Sequence, residues 1–331
     1  MGGWLTGKEK TSGGSYKKKI IGVGGLPVQG ANAVTKVTRI KRKNQTGLTA
    51  STFFVDMNGL LANSTGRCLL STNHSGPASF NNAMNNITLS LADISDFLRN
   101  ELAVDRYPAD EQGGVYRPGS RPIARLGLAL EPFAGLADWV EREQLDALWL
   151  HRPWQLSVDT LPPDMGVLYH HLPFDETLTI GYCEPLASQL DATSDLEPIG
   201  YKQAVAKTGE PLPKRAIGML LDINGQEFDE CLDHVKDLLG NYDRAEAGRQ
   251  LDVDRIAVVG AMTDELVREA AERGANVYLT GQYRKPAQDA VNETGMAVIA
   301  VGHRRSETWG LRALAELLRT KWPDLTVLVH A

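Results

Sequence analysis

Four of the seven histidines in this 331-residue chain stand where a buried apolar run stops, and two of those have a carboxylate four residues downstream. The run Ala147–Leu150 ends at His151, followed by Arg152 and Pro153. The run Gly166–Tyr169 ends at His170 and His171, with Asp175 four residues past His171. The run Ala297–Val301 ends at Gly302 and His303, with Glu307 four residues on. In open α/β sheets ligands gather outside the carboxyl ends of strands, so the residues just past strands are the ones to inspect. Neutral imidazole and carboxylate suit Zn²⁺, Fe²⁺ or Mn²⁺, and a catalytic site takes about three protein ligands with one position open. Glu307 is expected in the first turn of its helix, where the dipole favours an ionised carboxylate that either bridges two ions or holds one. Gly302 would let the backbone turn sharply before His303. A strand-end histidine more often caps a carbonyl, and either His-x-x-x-acid pair alone is weak. Their joint appearance at equivalent strand ends is what points to a divalent cation. His74, His234 and His330 read as surface or packing residues, and Asp264 and Glu265 as helix-start charge.

The elements that must position these groups are legible from Leu89 onward. Residues 90–100 read as an amphipathic helix with Leu91, Ile94, Phe97 and Leu98 on one face. Strands are expected at 123–130, 147–151, 166–171 and 217–223, and helices at 136–145, 185–190 and 227–239. The last third is the most regular, with strands at 256–260, 276–280, 296–301 and 325–330. Helices at 264–273, 286–292 and 307–321 alternate with them. Strand–helix alternation at this spacing indicates an α/β fold with mostly parallel sheets covered by helices. The expected division is a basic low-complexity or disordered extension over 1–85, a first unit over 86–190, a Pro/Gly-rich linker or excursion over 191–214 and a second unit over 215–331.

Composition narrows the partners. Apolar residues make up 42% and charged residues 23%, and no window approaches a membrane-spanning run. Cys68, Cys183 and Cys231 are odd in number and far apart, which gives no disulfide framework, and they read as packing residues. Residues 1–90 hold 11 Lys+Arg and 2 Asp+Glu, a balance of +9, while residues 91–331 hold 24 and 39, a balance of −15. An acidic body makes a poor nucleic-acid binder, so the partners are expected to be a small-molecule substrate, metal ions and other copies of the chain. The basic segment reads as a disordered tail, a transit segment or upstream sequence joined before a start near Met84. Its Asn-x-Ser/Thr triplets at Asn44, Asn63, Asn73 and Asn86 read as chance matches. The run Ile21–Gly25 lacks the continuation of a phosphate loop, and no glycine fingerprint of a dinucleotide fold stands after any expected strand.

Over residues 89–331 the chain resembles the dinuclear metal-centre family known as GTP cyclohydrolase 1 type 2 homologues, or NGG-interacting-factor-like proteins. The resemblance rests on Asn276-Val-Tyr-Leu-Thr-Gly281, on Gly302-His-Arg-Arg-Ser-Glu307, on His151-Arg-Pro153 and on His171-Leu-Pro-Phe-Asp175. It implies metal ligation by His151, Asp175, His303 and Glu307, with Glu307 bridging and His171 at or beside the metal. It also implies two α/β units with the metal site between them, assembled as a homo-oligomer, a hexamer or dimer, with one or two divalent cations (Zn, Fe or Mn) per chain. The cysteine usage fits a cytoplasmic location, or an organelle if residues 1–85 are a transit segment. The family carries a second histidine where this chain has Arg152, which stays cationic and cannot ligate. The expectation is one well-held ion and a weakened second site, unless His170 or His171 swings in or the guanidinium fills the vacancy. Gln282–Pro286 likewise lacks the acidic and histidine residues common there. The function expected is metal-dependent hydrolysis of a nucleotide-like or phosphorylated small molecule, with Glu307 and Arg152 as catalytic residues. The rival is a non-catalytic metal-binding scaffold.

Overall fold

The computed structural model describes residues 8–10, 16–18 and 89–331. The chain divides into two compact units, Met1–Ser79 and Phe80–Ala331. In the first, strands β1 (Lys8–Lys10) and β2 (Tyr16–Lys18) pair antiparallel, with Glu9 opposite Lys17. The readings of the remaining basic extension, the asparagine triplets, the glycine run and Met84 lie outside the described residues, as do His74 and Cys68.

The second unit opens with α1 (Leu91–Glu101), β3 (Gly114–Arg117), β4 (Arg125–Ala129), α2 (Leu136–Arg142) and β5 (Ala147–Leu150). Then come β6 (Gly166–Tyr169), α3 (Leu172–Leu178), α4 (Glu184–Gln189), β7 (Glu197–Lys202), β8 (Arg215–Glu227) and α5 (Phe228–Leu239). The rest is β9 (Arg244–Glu246), β10 (Asp252–Val259), α6 (Asp264–Glu272), β11 (Val277–Thr280), α7 (Gln288–Thr294), β12 (Ala297–Ala300), α8 (His303–Lys321) and β13 (Thr326–His330). Local chemistry sets several of these ends. Ser90 and Asp93 form a reciprocal capping box at α1, which then buries Leu91, Ile94 and Leu98. Thr263 caps α6 by accepting from the Leu266 N–H at 3.3 Å.

The fold class is α/β, as the alternation implied, but the expectation of mostly parallel sheets holds for only one of the two. In the other, three of five pairings are antiparallel, because strands β7, β8 and β9 flank its parallel centre. One sheet has the order β13-β4-β5-β6-β3, parallel except for β3, and the other has the order β7-β8-β10-β11-β12-β9. In the six-stranded sheet β10, β11 and β12 are parallel and the remaining pairings antiparallel. β5 and β12 are buried along their whole length because helices cover both faces, which is why they appear as unbroken apolar runs. Four apolar clusters result, two on each sheet.

Two expectations about organisation are corrected. Residues 191–214 are more than a linker, since they contain β7, which pairs with β8 from Glu197 opposite Leu220 to Lys202 opposite Arg215. Pro198 and Gly200 hid this strand, yet proline is tolerated on an edge, where β7 lies. Residues 215–331 are not self-contained either. β13 leaves the second sheet and pairs parallel with β4, Val327 opposite Leu126. Helix α8 carries the chain between the sheets, burying Leu311, Leu314, Ala315 and Leu318 in the first sheet's cluster and Trp309 in the second's.

Candidate metal centre

The ends of β5, β6 and β12 deliver their histidines and carboxylates to one place. β5 lies between β4 and β6. Past its end, the His151 N–H donates to the Ala129 carbonyl at 3.1 Å and the Arg152 N–H to the Leu130 carbonyl at 2.8 Å, so both side chains leave a fixed backbone. Past β6, His171 is the N-cap residue of α3, and the Asp175 N–H donates to the His171 carbonyl at 3.1 Å. That turn puts His171 Nε2 3.8 Å from Asp175 Oδ2. Past β12, Gly302 takes φ +96°, a backbone conformation that L side chains rarely adopt, so glycine serves the turn into α8. The first turns of α8 then place His303 Nε2 3.0 Å from Glu307 Oε1.

The three deliveries converge. His151 Nε2 is 3.4 Å from Asp175 Oδ1 and 3.2 Å from Glu307 Oε1. One ligand atom each from His151, His171 and Asp175 lies within 4.8 Å of the others. Ligands about 2.1 Å from a tetrahedral ion stand about 3.4 Å apart, so the separations of 3.4 and 3.8 Å are of the size a cation needs. The donor chemistry agrees. His151 Nδ1 lies 3.0 Å from the His170 carbonyl oxygen, which assigns the proton to Nδ1 and turns the Nε2 lone pair toward two carboxylates. Both His151 Nε2 and Asp175 Oδ1 are buried without a hydrogen-bond partner. Two facing acceptors are costly to bury unless a cation or proton sits between them.

Charge is arranged around this point. Burial pushes the Asp175 carboxyl up to about 6, with His151 pulling the other way. Burial also pushes Glu307 upward, but its contacts with His303 and Arg152 outweigh that and hold it well below the usual carboxylate range. Contact with Glu307 raises His303, whereas burial lowers His171. Arg152 clasps Glu307 with both ends of its fork, Nη1 to Oε1 at 2.6 Å and Nη2 to Oε2 at 2.9 Å, and its Nε donates to Glu131 Oε1 at 2.9 Å.

His151, His171 and Asp175 therefore meet, and Glu307 touches the cluster through His151 and links it to His303, whose side chain is 60% exposed. Several expectations need correction. Glu307 is not in the first turn of its helix: α8 begins at His303, so its ionisation comes from Arg152 and the histidines more than from the dipole. Arg152 is not available to a substrate anion, because two carboxylates already neutralise it. His170 does not swing in. It is buried, and its Nδ1 accepts from the Trp149 indole at 3.1 Å while its carbonyl orients His151. The sequence reading missed Glu131, although it directly follows β4 and its Leu130 and so fell within the same search of strand ends.

Two cavities flank His303. One, of about 730 Å³, is lined by Gly260–Glu265, Gln282, Arg284 and Pro286 at the carboxyl ends of β10 and β11. The other, of about 510 Å³, lies against α8 and the end of α5.

Comparison with known proteins agrees with this architecture. The family described as Duf34/NIF3 (NGG1p interacting factor 3) matches residues 155–331. A protein of Allochromatium vinosum named GTP cyclohydrolase 1 type 2 homolog is 22% identical over 254 residues, covering 72% of this chain and 95% of that protein. Its namesake from Pyrococcus abyssi is 24% identical over 254 residues, covering 72% and 97%. Among solved structures, a Thermus thermophilus protein superimposes with a TM-score of 0.56 at 20% identity, covering 73% of this chain and 99% of that one. Reduced HcgD from Methanocaldococcus jannaschii gives 0.53 at 21% identity, covering 73% and 97%. At such identities these two superpositions speak for the fold alone.

Proposed function

We propose, from the premise that the chain belongs to the Duf34/NIF3 family, that it is a metal-dependent hydrolase acting on a nucleotide-like or phosphorylated small molecule. The observation that carries this reading is the meeting of His151, His171 and Asp175 around buried atoms that have no other partner. These three would hold the ion, with Glu307 and His303 completing its surroundings. A bound Zn²⁺, Fe²⁺ or Mn²⁺ supplies a Lewis acid that polarises a substrate oxygen and acidifies water.

The chain's own residues supply the rest. Glu307, ionised and buried, accepts from His303 and fixes the orientation of that ring. His303 faces both cavities, and its raised pKa makes it the proton donor best placed for a leaving group. Arg152 acts through Glu307 as a positioning residue. Its fixed positive charge beside Glu307 opposes a second divalent cation at that carboxylate, so the site is read as holding one well-bound ion. Homo-oligomerisation is proposed on the resemblance, and a cytoplasmic location on the cysteine usage.

Elemental analysis of purified protein tests the reading. Wild type is expected to carry close to one divalent ion per chain, and His151→Ala and Asp175→Ala to lose it. Full metal content in both variants sinks the assignment. The closed Arg152–Glu307 clasp favours a second reading, a metal-binding protein without turnover. Metal without hydrolysis of nucleotides or phosphoesters, and a melting temperature that follows the metal, would decide for it.

A further inference from the structure

With Arg152 engaged by carboxylates, a phosphorylated substrate needs another counter-charge near His303. The 510 Å³ cavity beside it is lined by Arg304, Arg305 and Arg312, with Asp243 as the one acidic residue on its wall and Leu239, Gly240 and Trp309 closing it. Asp243 is engaged by Arg305, at 2.5 Å. Arg304 has its nearest carboxylate, Glu131, at 3.6 Å, and that carboxylate is already held by Arg152 at 2.7 Å. Arg312 forms no ion pair among the described residues. The cavity wall is thus net positive within a body whose residues 91–331 carry −15. Arginines on a helix face are most often solvated and paired with neighbouring acids. Here the acids are outnumbered, and the groups line a concave space that His303 also lines. The first turn of α8 points the same way, since it holds no acidic residue and no side chain caps it, leaving its N–H groups and dipole to an anion.

We propose that this cavity is the phosphate-binding part of the substrate site, with Arg312 and Arg304 as its main contacts and Arg305, held by Asp243, as its fixed wall. The proposal deepens the hydrolase reading and rests on it only in calling the anion a substrate group. A phosphoryl group there borders His303 and leaves the 730 Å³ cavity, which the same histidine lines, for the remainder of the molecule. Guanidinium forks suit phosphate because they pair in two points and stay charged.

The probe is inorganic pyrophosphate, titrated calorimetrically into the full chain at low salt, once metal-loaded and once after chelation. Binding is expected in both states. It should weaken on the order of tenfold for each of Arg304→Ala and Arg312→Ala, about 1.4 kcal/mol apiece, with metal content unchanged. Arg312→Lys should recover part of the loss, and higher salt should reduce wild-type binding. Failure of wild type to bind after chelation, or equal binding by the double variant, overturns the proposal. Arginine-dependent binding in a protein that proves to hold no metal would uphold this site while removing the hydrolase reading, so the two failures are distinguishable.

Discussion

Glu307 illustrates how a side chain's state is set by its contacts and not by its position along a helix. Its carboxylate, 1% exposed, is held by Arg152 from one side while His151 and His303 approach from the other. Replacing Arg152 by histidine removes the clasp and adds a ligand. Arg152→His is therefore expected to raise metal content from about one toward two ions per chain, read by elemental analysis; unchanged stoichiometry would show that the guanidinium does not exclude a second ion. The pH response divides between two neighbours. Burial lowers His170 from 6.5 to about 3, so the unfolded chain binds a proton that the folded one refuses. Its contribution is present above pH 6.5 and is lost as pH falls toward 3. Asp175 runs the other way in the metal-free protein, raised from 3.8 to about 6. That contribution is full below pH 3.8 and disappears as pH climbs through 6. Urea titrations of chelated protein between pH 4 and 7 should show His170→Phe flattening the first trend. The stability of wild type relative to Asp175→Asn should fall over the same range. At this scale the sequence singled out His151, His171, Asp175, His303 and Glu307, which the fold brings into contact, because strand ends and i, i+4 spacing are local. It could not reveal that Arg152 and Glu307, 155 positions apart, are bound to one another.

The elements explain which parts of the fold could be read. Buried parallel strands such as β5 and β12 are continuous apolar runs, and long helices such as α5 and α8 show their period, so both were legible. Short pieces were not. α3 spans seven residues with Pro173 in its first turn, too few for a helical period to emerge, although it carries Asp175. β3 and β9 are three or four residues long and lie on sheet edges, where pairing partners distant in sequence decide the structure. The packing of α8 on α3 depends on Gly310. A Cβ there would stand 2.8 Å from the Leu178 carbonyl and from Phe174, and 2.9 Å from Thr179. Gly310→Ala is expected to force the helices apart, destabilising the protein by roughly 1–3 kcal/mol and weakening metal retention by moving Glu307 away from His151. A melting temperature equal to wild type would show that the contact yields without cost.

Across the whole of residues 80–331 the two sheets are joined by more than α8. Arg215 on β8 donates from Nε to Glu176 Oε2 on α3 at 2.7 Å, with both side chains less than a tenth exposed. The guanidinium also lies 4.6 Å from the centre of the Tyr107 ring. A buried pair of this kind is of little net benefit, but halving it strands a charge. Arg215→Met should cost about 3–5 kcal/mol, and adding Glu176→Leu should return most of it. Chemical denaturation of the single and double variants measures the difference, and equal losses in both would argue against a coupled pair.

The return of β13 to the first sheet also governs the order in which this protein can be born. A ribosome releases His151 and Asp175 long before it has made α8, and the edge of β4 stays bare until residues 326–330 emerge. Nascent chains stopped near residue 295 should accordingly remain sensitive to protease and hold no cation, leaving maturation of the centre as an event that comes after translation.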